Sequence, residues 1–163
     1  MKHTISVLVE NHFGVLARIS GLFSGRGFNI DSLSVGETED TTTSRITLVV
    51  NGDDIIIEQV MKQLNKLIDV IKVNDLTTDE FIDRELALIK VHANGKTRSE
   101  IMQIVDIFRG KIVDVAPSSL TVEVTGAEEK VQGMMDLLRE FGIKEVVRSG
   151  KIAISRDNKA AHR

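Results

Sequence analysis

The run Ile5-Ser6-Val7-Leu8-Val9-Glu10-Asn11-His12-Phe13-Gly14-Val15-Leu16-Ala17-Arg18-Ile19 changes its apolar period in mid-course. Ile5, Val7 and Val9 alternate, as in a half-buried strand. Val15, Leu16 and Ile19, continued by Leu22 and Phe23, recur as one face of a helix. Gly25 and Gly27 end that helix, because glycine accepts the left-handed backbone found just past many helix ends. Downstream, Phe28 to Glu37 alternates again through Phe28, Ile30, Leu33 and Val35, with one slip of phase. Glu39-Asp40-Thr41-Thr42 is a polar turn, and Ile46, Leu48 and Val50 mark the next strand. Asn51-Gly52-Asp53-Asp54 reads as a turn and helix cap, since an Asp side chain can accept the free amide hydrogens of a first turn. Ile57, Val60, Met61, Leu64 and Leu67 form a second helix stripe, and Val70 to Leu76 a closing strand. The order is β-α-β-β-α-β, the ferredoxin-like plan of one antiparallel sheet with two helices on one face.

The same order returns in the second half. Leu86 and Leu88 mark a strand that extends toward His92. Ile101, Ile104, Val105 and Phe108 make a helix stripe stopped at Gly110. Ile112, Val113 and Val115, then Leu120, Val122 and Val124, form a strand pair about Pro117-Ser118-Ser119. Val131, Met134, Met135 and Leu138 make the fourth helix, with Gly142 past its end. Val146-Val147 and Ile152 to Ile154 are short final strands joined through Ser149-Gly150. The ending Phe23-Ser24-Gly25-Arg26-Gly27-Phe28-Asn29-Ile30-Asp31 echoes Phe108-Arg109-Gly110-Lys111-Ile112-Val113-Asp114, a repeat of pattern with little identity elsewhere. The polar stretch Thr77-Thr78-Asp79-Glu80 divides the chain. The expected fold is α+β, two ferredoxin-like domains in tandem over residues 1–77 and 78–163. Each is small and leaves one sheet face without helices, so burial against a second copy is expected.

Composition excludes several functions. Apolar residues at 42% and charged residues at 28% give an ordinary globular balance, against a disordered chain. A net charge of -3 offers no general attraction to nucleic acid or an anionic membrane. There is no cysteine, hence no disulfide, thiolate metal site or thiol nucleophile, which fits a reducing cytoplasm. Met1 to Glu10 lacks the small-residue cleavage site of a signal peptide, and no apolar run approaches the ~18–20 residues that span a bilayer. A mature, soluble, cytoplasmic chain is expected.

Chemistry is scarce. His3, His12, His92 and His162 lack zinc-site spacing, and no Gly-x-Ser-x-Gly elbow occurs. The glycines at 21, 25 and 27 lie at the end of a helix, whereas a phosphate loop sets its glycines between a strand and a helix start. RNA-recognition domains share the β-α-β-β-α-β plan but stack bases on sheet aromatics; this chain has no Tyr and no Trp. An acylphosphatase would need an Arg in the first strand-to-helix loop, and none precedes Arg18. No catalytic residue and no metal site are expected.

The loop Asn11-His12-Phe13-Gly14 carries a more specific signal. The amide hydrogens that open the following helix lack partners within it and carry the positive end of its dipole, a place that suits a carboxylate. Gly14 lets a ligand approach the backbone. Asn11 offers a donor and an acceptor, as an amino acid requires, and Val15 and Leu16 stand ready for an aliphatic side chain. Asn and Gly also occupy such turns for capping alone, so the loop by itself leaves both readings open. Asn29 is similarly either a turn residue or a ligand contact.

The stretch Glu10-Asn11-x-x-Gly14-x-Leu16-x-Arg18-x-x-Gly21-Leu22-Phe23-Ser24-x-Arg26-Gly27-x-Asn29-Ile30 resembles an ACT domain, specifically that of the regulatory small subunit of acetohydroxyacid synthase (acetolactate synthase). Ser44-Arg45, Gln63-Leu64-x-Lys66-Leu67-x-Asp69-Val70, Arg84-Glu85-Leu86, Phe108-Arg109-Gly110-Lys111-Ile112-x-Asp114-Val115 and Val147-Arg148-Ser149-Gly150 match as well, so the resemblance covers nearly the whole chain. It implies a non-catalytic subunit of branched-chain amino-acid biosynthesis that activates a catalytic large subunit and confers feedback inhibition by valine or a related branched-chain amino acid. The catalytic subunit joins pyruvate to a second 2-oxoacid, and thiamine diphosphate, magnesium and FAD belong to it, with no cofactor on this chain. The resemblance further implies a homodimer through the ACT domains. Its effector site takes Asn11, Gly14, Val15 and Leu16 from one chain and Asn29 and Ile30 from the facing chain. The rival is a free-standing amino-acid-responsive module controlling another enzyme or a transcription regulator.

Overall fold

The computed structural model describes residues 1–25 and 28–157; Arg26 and Gly27, part of the expected helix ending, and His162 lie outside them. The chain forms two compact units. One takes Met1–Ile82 with the segment that begins at Lys151, and the other takes Asp83–Gly150.

In the first unit β1 (Lys2–Glu10), α1 (Val15–Ser24), β2 (Asn29–Glu37), β3 (Thr43–Asn51), α2 (Asp54–Asn65) and β4 (Val70–Asp75) follow the expected order. The sheet runs β2-β3-β1-β4, antiparallel throughout. Ile5, Val7 and Val9 pair across β1 and β3 with Leu48, Ile46 and Ser44, so these residues share a face. That face closes on Val15, Ile19 and Phe23 of α1 and on Ile57, Val60 and Leu64 of α2, all buried. Asp53 caps α2 by accepting from the Ile56 N–H at 2.9 Å. The other face carries Thr4, Ser6, Thr47 and Val49, which are buried too. β9 (Ile152–Ser155) belongs to this unit and comes against β1.

The second unit repeats the order as β5 (Phe81–His92), α3 (Arg98–Ile107), β6 (Lys111–Ala116), β7 (Ser119–Gly126), α4 (Glu128–Leu138) and β8 (Ile143–Arg148). Its sheet runs β6-β7-β5-β8. Leu86 and Leu88, the residues that mark β5 in the sequence, are 38% and 37% exposed; Ala87, Ile89 and Val91 face the core instead.

The repeat extends to irregularities that identity does not reveal. The register of β2 on β3 shifts between Ile30 and Ser32, and that of β6 on β7 between Ile112 and Asp114. The pairing of β1 with β4 shifts between Leu8 and Val9, and that of β5 with β8 between Lys90 and Val91. Each is one extra residue in an edge strand, which twists it locally. The phase slip in Phe28 to Glu37 is thus a bulge at Asp31.

Candidate functional site

The first strand-to-helix loop is held from outside itself. The Glu10 N–H donates to Asp69 O and the Asn11 N–H to Thr42 O, both at 2.8 Å. Asn11 Nδ2 donates to Glu37 Oε1 at 3.2 Å and to Thr41 O at 3.1 Å. The loop is therefore pinned to the β2–β3 turn on one side and to the start of β4 on the other, where Arg18 pairs with Asp69. Gly14 closes it at φ 86°, a left-handed conformation, and is the residue before α1.

The helix that follows is open at its start. The Val15 N–H reaches His12 O only at 3.5 Å, and the Arg18 N–H bonds Gly14 O at 3.2 Å. The N–H groups of Leu16 and Ala17 have no acceptor among the described residues. α2 has a capping Asp and Asp54 in its first turn; α3 has Glu100, and α4 has Glu128 and Glu129. α1 has neither a side-chain cap nor an acidic residue there. Its positive end is uncompensated by the protein, which is what a bound carboxylate would supply.

The corresponding loop of the second unit provides an internal comparison. There Asn94 Oδ1 accepts from the N–H groups of Lys96 and Thr97, at 2.9 and 3.0 Å, and the Asn94 N–H donates to Thr97 Oγ1. That asparagine is spent on its own turn, the capping use common for Asn. Asn11 instead reaches across the fold, to Glu37 and Thr41, and does not cap its own turn.

The expected site residues do not converge within one chain. Asn11, Gly14 and Leu16 are exposed and adjacent; Val15 is buried in the core and offers the loop its backbone only. Asn29 and Ile30 open β2, where Asn29 pairs with Asn51, itself opposite Lys2. The loop follows Glu10, at the other end of β1. Eight residue steps at ~3.3 Å separate the two ends by about 26 Å. Asn29 is exposed and Ile30 half-buried against the core. Two surface depressions, one over Gln59, Lys62 and Lys66 at the end of α2 and one over His92, Asn94 and Phe141, are lined by no residue of the loop.

Two features were not legible in the sequence. Glu37, at the end of β2, is the carboxylate that holds Asn11. His3 is 3% exposed, with Nδ1 2.9 Å from Asp75 Oδ2 and Nε2 3.1 Å from Asp54 Oδ1; the alternation of β1 signals its inward direction but not its partners. Among the described residues no group of three or more His, Cys, Asp or Glu is placed to hold a metal, and no helix is long and apolar enough to cross a membrane.

Comparison with known proteins gives this fold its class. Residues 5–72 match the model of the AHAS small subunit-like ACT domain, so the first unit is an ACT domain. Residues 84–157 match the model of the small subunit of acetolactate synthase. The acetolactate synthase small-subunit relative from Archaeoglobus fulgidus is 57% identical, covering 98% of this chain and 99% of its own. The acetolactate synthase small subunit of Aquifex aeolicus is 55% identical over 96% of this chain and 82% of its own. The crystal structure of the acetolactate synthase small subunit from Thermotoga maritima superposes with a TM-score of 0.87 at 43% identity, covering 97% and 99% of the two chains. The chain belongs to the family of acetolactate synthase small subunits, the regulatory, non-catalytic members of that synthase in branched-chain amino-acid biosynthesis. The match runs through the second unit, which sets aside the free-standing module.

Proposed function

We propose that the first unit senses valine or a related branched-chain amino acid, and that occupancy lowers the activation this chain gives to the catalytic large subunit. The effector carboxylate meets the open amides of α1 beside Gly14, Val15 and Leu16. Asn11 and, from a facing chain, Asn29 with Ile30 orient it, and Leu16 meets its aliphatic side chain. Added methylenes in such pockets are worth only ~1–3 kcal/mol, so valine, leucine and isoleucine are weakly separated. Inhibition requires the effector to favour an assembly that activates less well. The sensing role is assigned to residues 1–77 and the small-subunit domain to 78–163. Thiamine diphosphate, magnesium and FAD stay on the catalytic partner, in the cytoplasm.

The observation that carries this reading is the uncompensated start of α1 beside an Asn that reaches out of its own loop. A homodimer is supported by the separation of Asn11 from Asn29. β2 is an edge strand, bonded on one side only, and unpaired edges invite a further strand. Antiparallel pairing of β2 with its copy about Leu33, the middle of Asn29–Glu37, would set Asn29 of one chain near Glu37 of the other, and so near Asn11.

The test is complementation between chains, read by calorimetric titration of valine. Asn11→Ala and Asn29→Ala homodimers each carry two damaged sites and bind poorly. Mixed and re-equilibrated, they form heterodimers with one intact and one doubly damaged site, so binding at up to half the wild-type stoichiometry in the heterodimer is expected. Mixing that restores nothing, from dimers shown to exchange, counts against a site shared between chains.

A further inference from the structure

We propose that Glu37 receives the α-ammonium group of the effector, so that the site selects a zwitterionic amino acid over the 2-oxoacid of the same carbon skeleton. This rests on the effector reading above and adds a residue to it. A carboxylate at the α1 amides accounts for only one pole of the ligand, and every 2-oxoacid has that pole too. The catalytic partner consumes 2-oxoacids, so a sensor reading only a carboxylate and an aliphatic chain would respond to the wrong metabolites.

A second pole is held against the loop that leads into α1. Glu37 is exposed at the end of β2, and Asn11 Nδ2 donates to its Oε1 at 3.2 Å, fixing the carboxylate to the loop that leads into α1. Among the described residues it has no cation partner; the nearby Arg18 is taken by Asp69. The surroundings are acidic. Glu10 ends β1, on the far side of β3 from β2, and Glu39 and Asp40 lie in the β2–β3 turn, where hydrogen bonds from the side chain and backbone of Thr42 hold the Asp40 carboxyl below its ordinary value. The uncompensated positive end of α1 and a carboxylate with no cation partner among the described residues thus flank one loop. An ammonium group donates three hydrogen bonds and carries charge toward Glu37. A keto oxygen in the same place is an acceptor facing an acceptor. Pairing of β2 with its copy would also bring the facing Asn29 to this carboxylate.

The experiment is calorimetric titration of the full chain with valine and with 3-methyl-2-oxobutanoate, for the wild type, Glu37→Gln and Asn11→Ala. Circular dichroism and dimer mass are checked for each. The wild type should bind valine and give no saturable heat with the oxoacid. Glu37→Gln should keep its fold and mass and lose on the order of 10–100-fold in valine affinity, the worth of a charge-assisted hydrogen bond. Its oxoacid binding should not fall, because the Gln amide can donate to a keto oxygen. Wild-type valine affinity in Glu37→Gln, with loss in Asn11→Ala, overturns the role of Glu37 and leaves the effector site standing. A wild type that does not bind valine overturns the effector reading and this role with it. Dissociation of the Glu37→Gln dimer would show a structural role and overturn the proposal as well.

Discussion

Gly14 offers a way to separate backbone strain from charge at one position. Its φ of 86° lies in the left-handed region, and a Cβ built there meets nothing within 4 Å. Gly14→Ala should therefore cost only the backbone penalty, ~1–2 kcal/mol. In a domain of this size that lowers Tm by roughly 4–8 °C per kcal/mol. The amides of Leu16 and Ala17 stay free, so valine affinity should change little. Gly14→Asp carries the same strain but sets a carboxylate at the start of a helix with no side-chain cap. Accepting from those amides is worth ~0.5–2 kcal/mol, which offsets most of the strain. The same carboxylate fills the place assigned to the effector's own and repels it. The expected result is a pair of opposites: Gly14→Ala less stable and still responsive, Gly14→Asp near wild-type stability and unresponsive. Thermal unfolding and valine titration of both variants, with inhibition measured in the reconstituted holoenzyme, read the outcome. A Gly14→Asp chain that binds valine like the wild type would refute the placement of the carboxylate, and an unshifted Tm in Gly14→Ala would refute the strain.

Other perturbations test the frame around the site. Gly52→Ala puts a Cβ 2.5 Å from Phe28 Cε1, and Phe28 packs edge-on to Phe23 with centroids 6.2 Å apart, so overpacking should cost ~1–3 kcal/mol in a denaturant melt. Arg148→Ala strips the partner from Glu85, which is 6% exposed; a loss of ~1–3 kcal/mol is expected, at the low end because Arg148 is partly in water, and a Glu85→Leu/Arg148→Leu double variant should recover much of it. Burial pushes the Asp75 carboxyl up, but hydrogen bonds from Thr77 and His3 outweigh this and leave it below its ordinary 3.8. Its contribution is thus present above that value and lost as pH falls below it, so the stability gap between wild type and Asp75→Asn should narrow in acid unfolding below pH 3.8.

The order of elements was legible because periodicity is local. A switch from alternation to a 3.6-residue face between Val9 and Val15 needs no knowledge of the rest of the chain, and the bulge at Asp31 appears as a slip of phase. β5 misled for the same reason: Leu86 and Leu88 mark a strand more loudly than Ala87, yet the small residue faces the core. The loop at Asn11 was legible only as an ambiguity. Its side-chain partner is Glu37, and whether an asparagine caps its own turn, as Asn94 does, or reaches a distant strand is decided by register. The antiparallel register also sets Asn11 and Asn29 at opposite ends of one sheet, which no spacing along the chain encodes. Sequence alone determined which segments are strands and helices and that the chain belongs with a regulatory family. Tertiary structure decided which carboxylate holds Asn11 and that the expected site residues do not meet within one chain, because those relations depend on strands pairing across long separations.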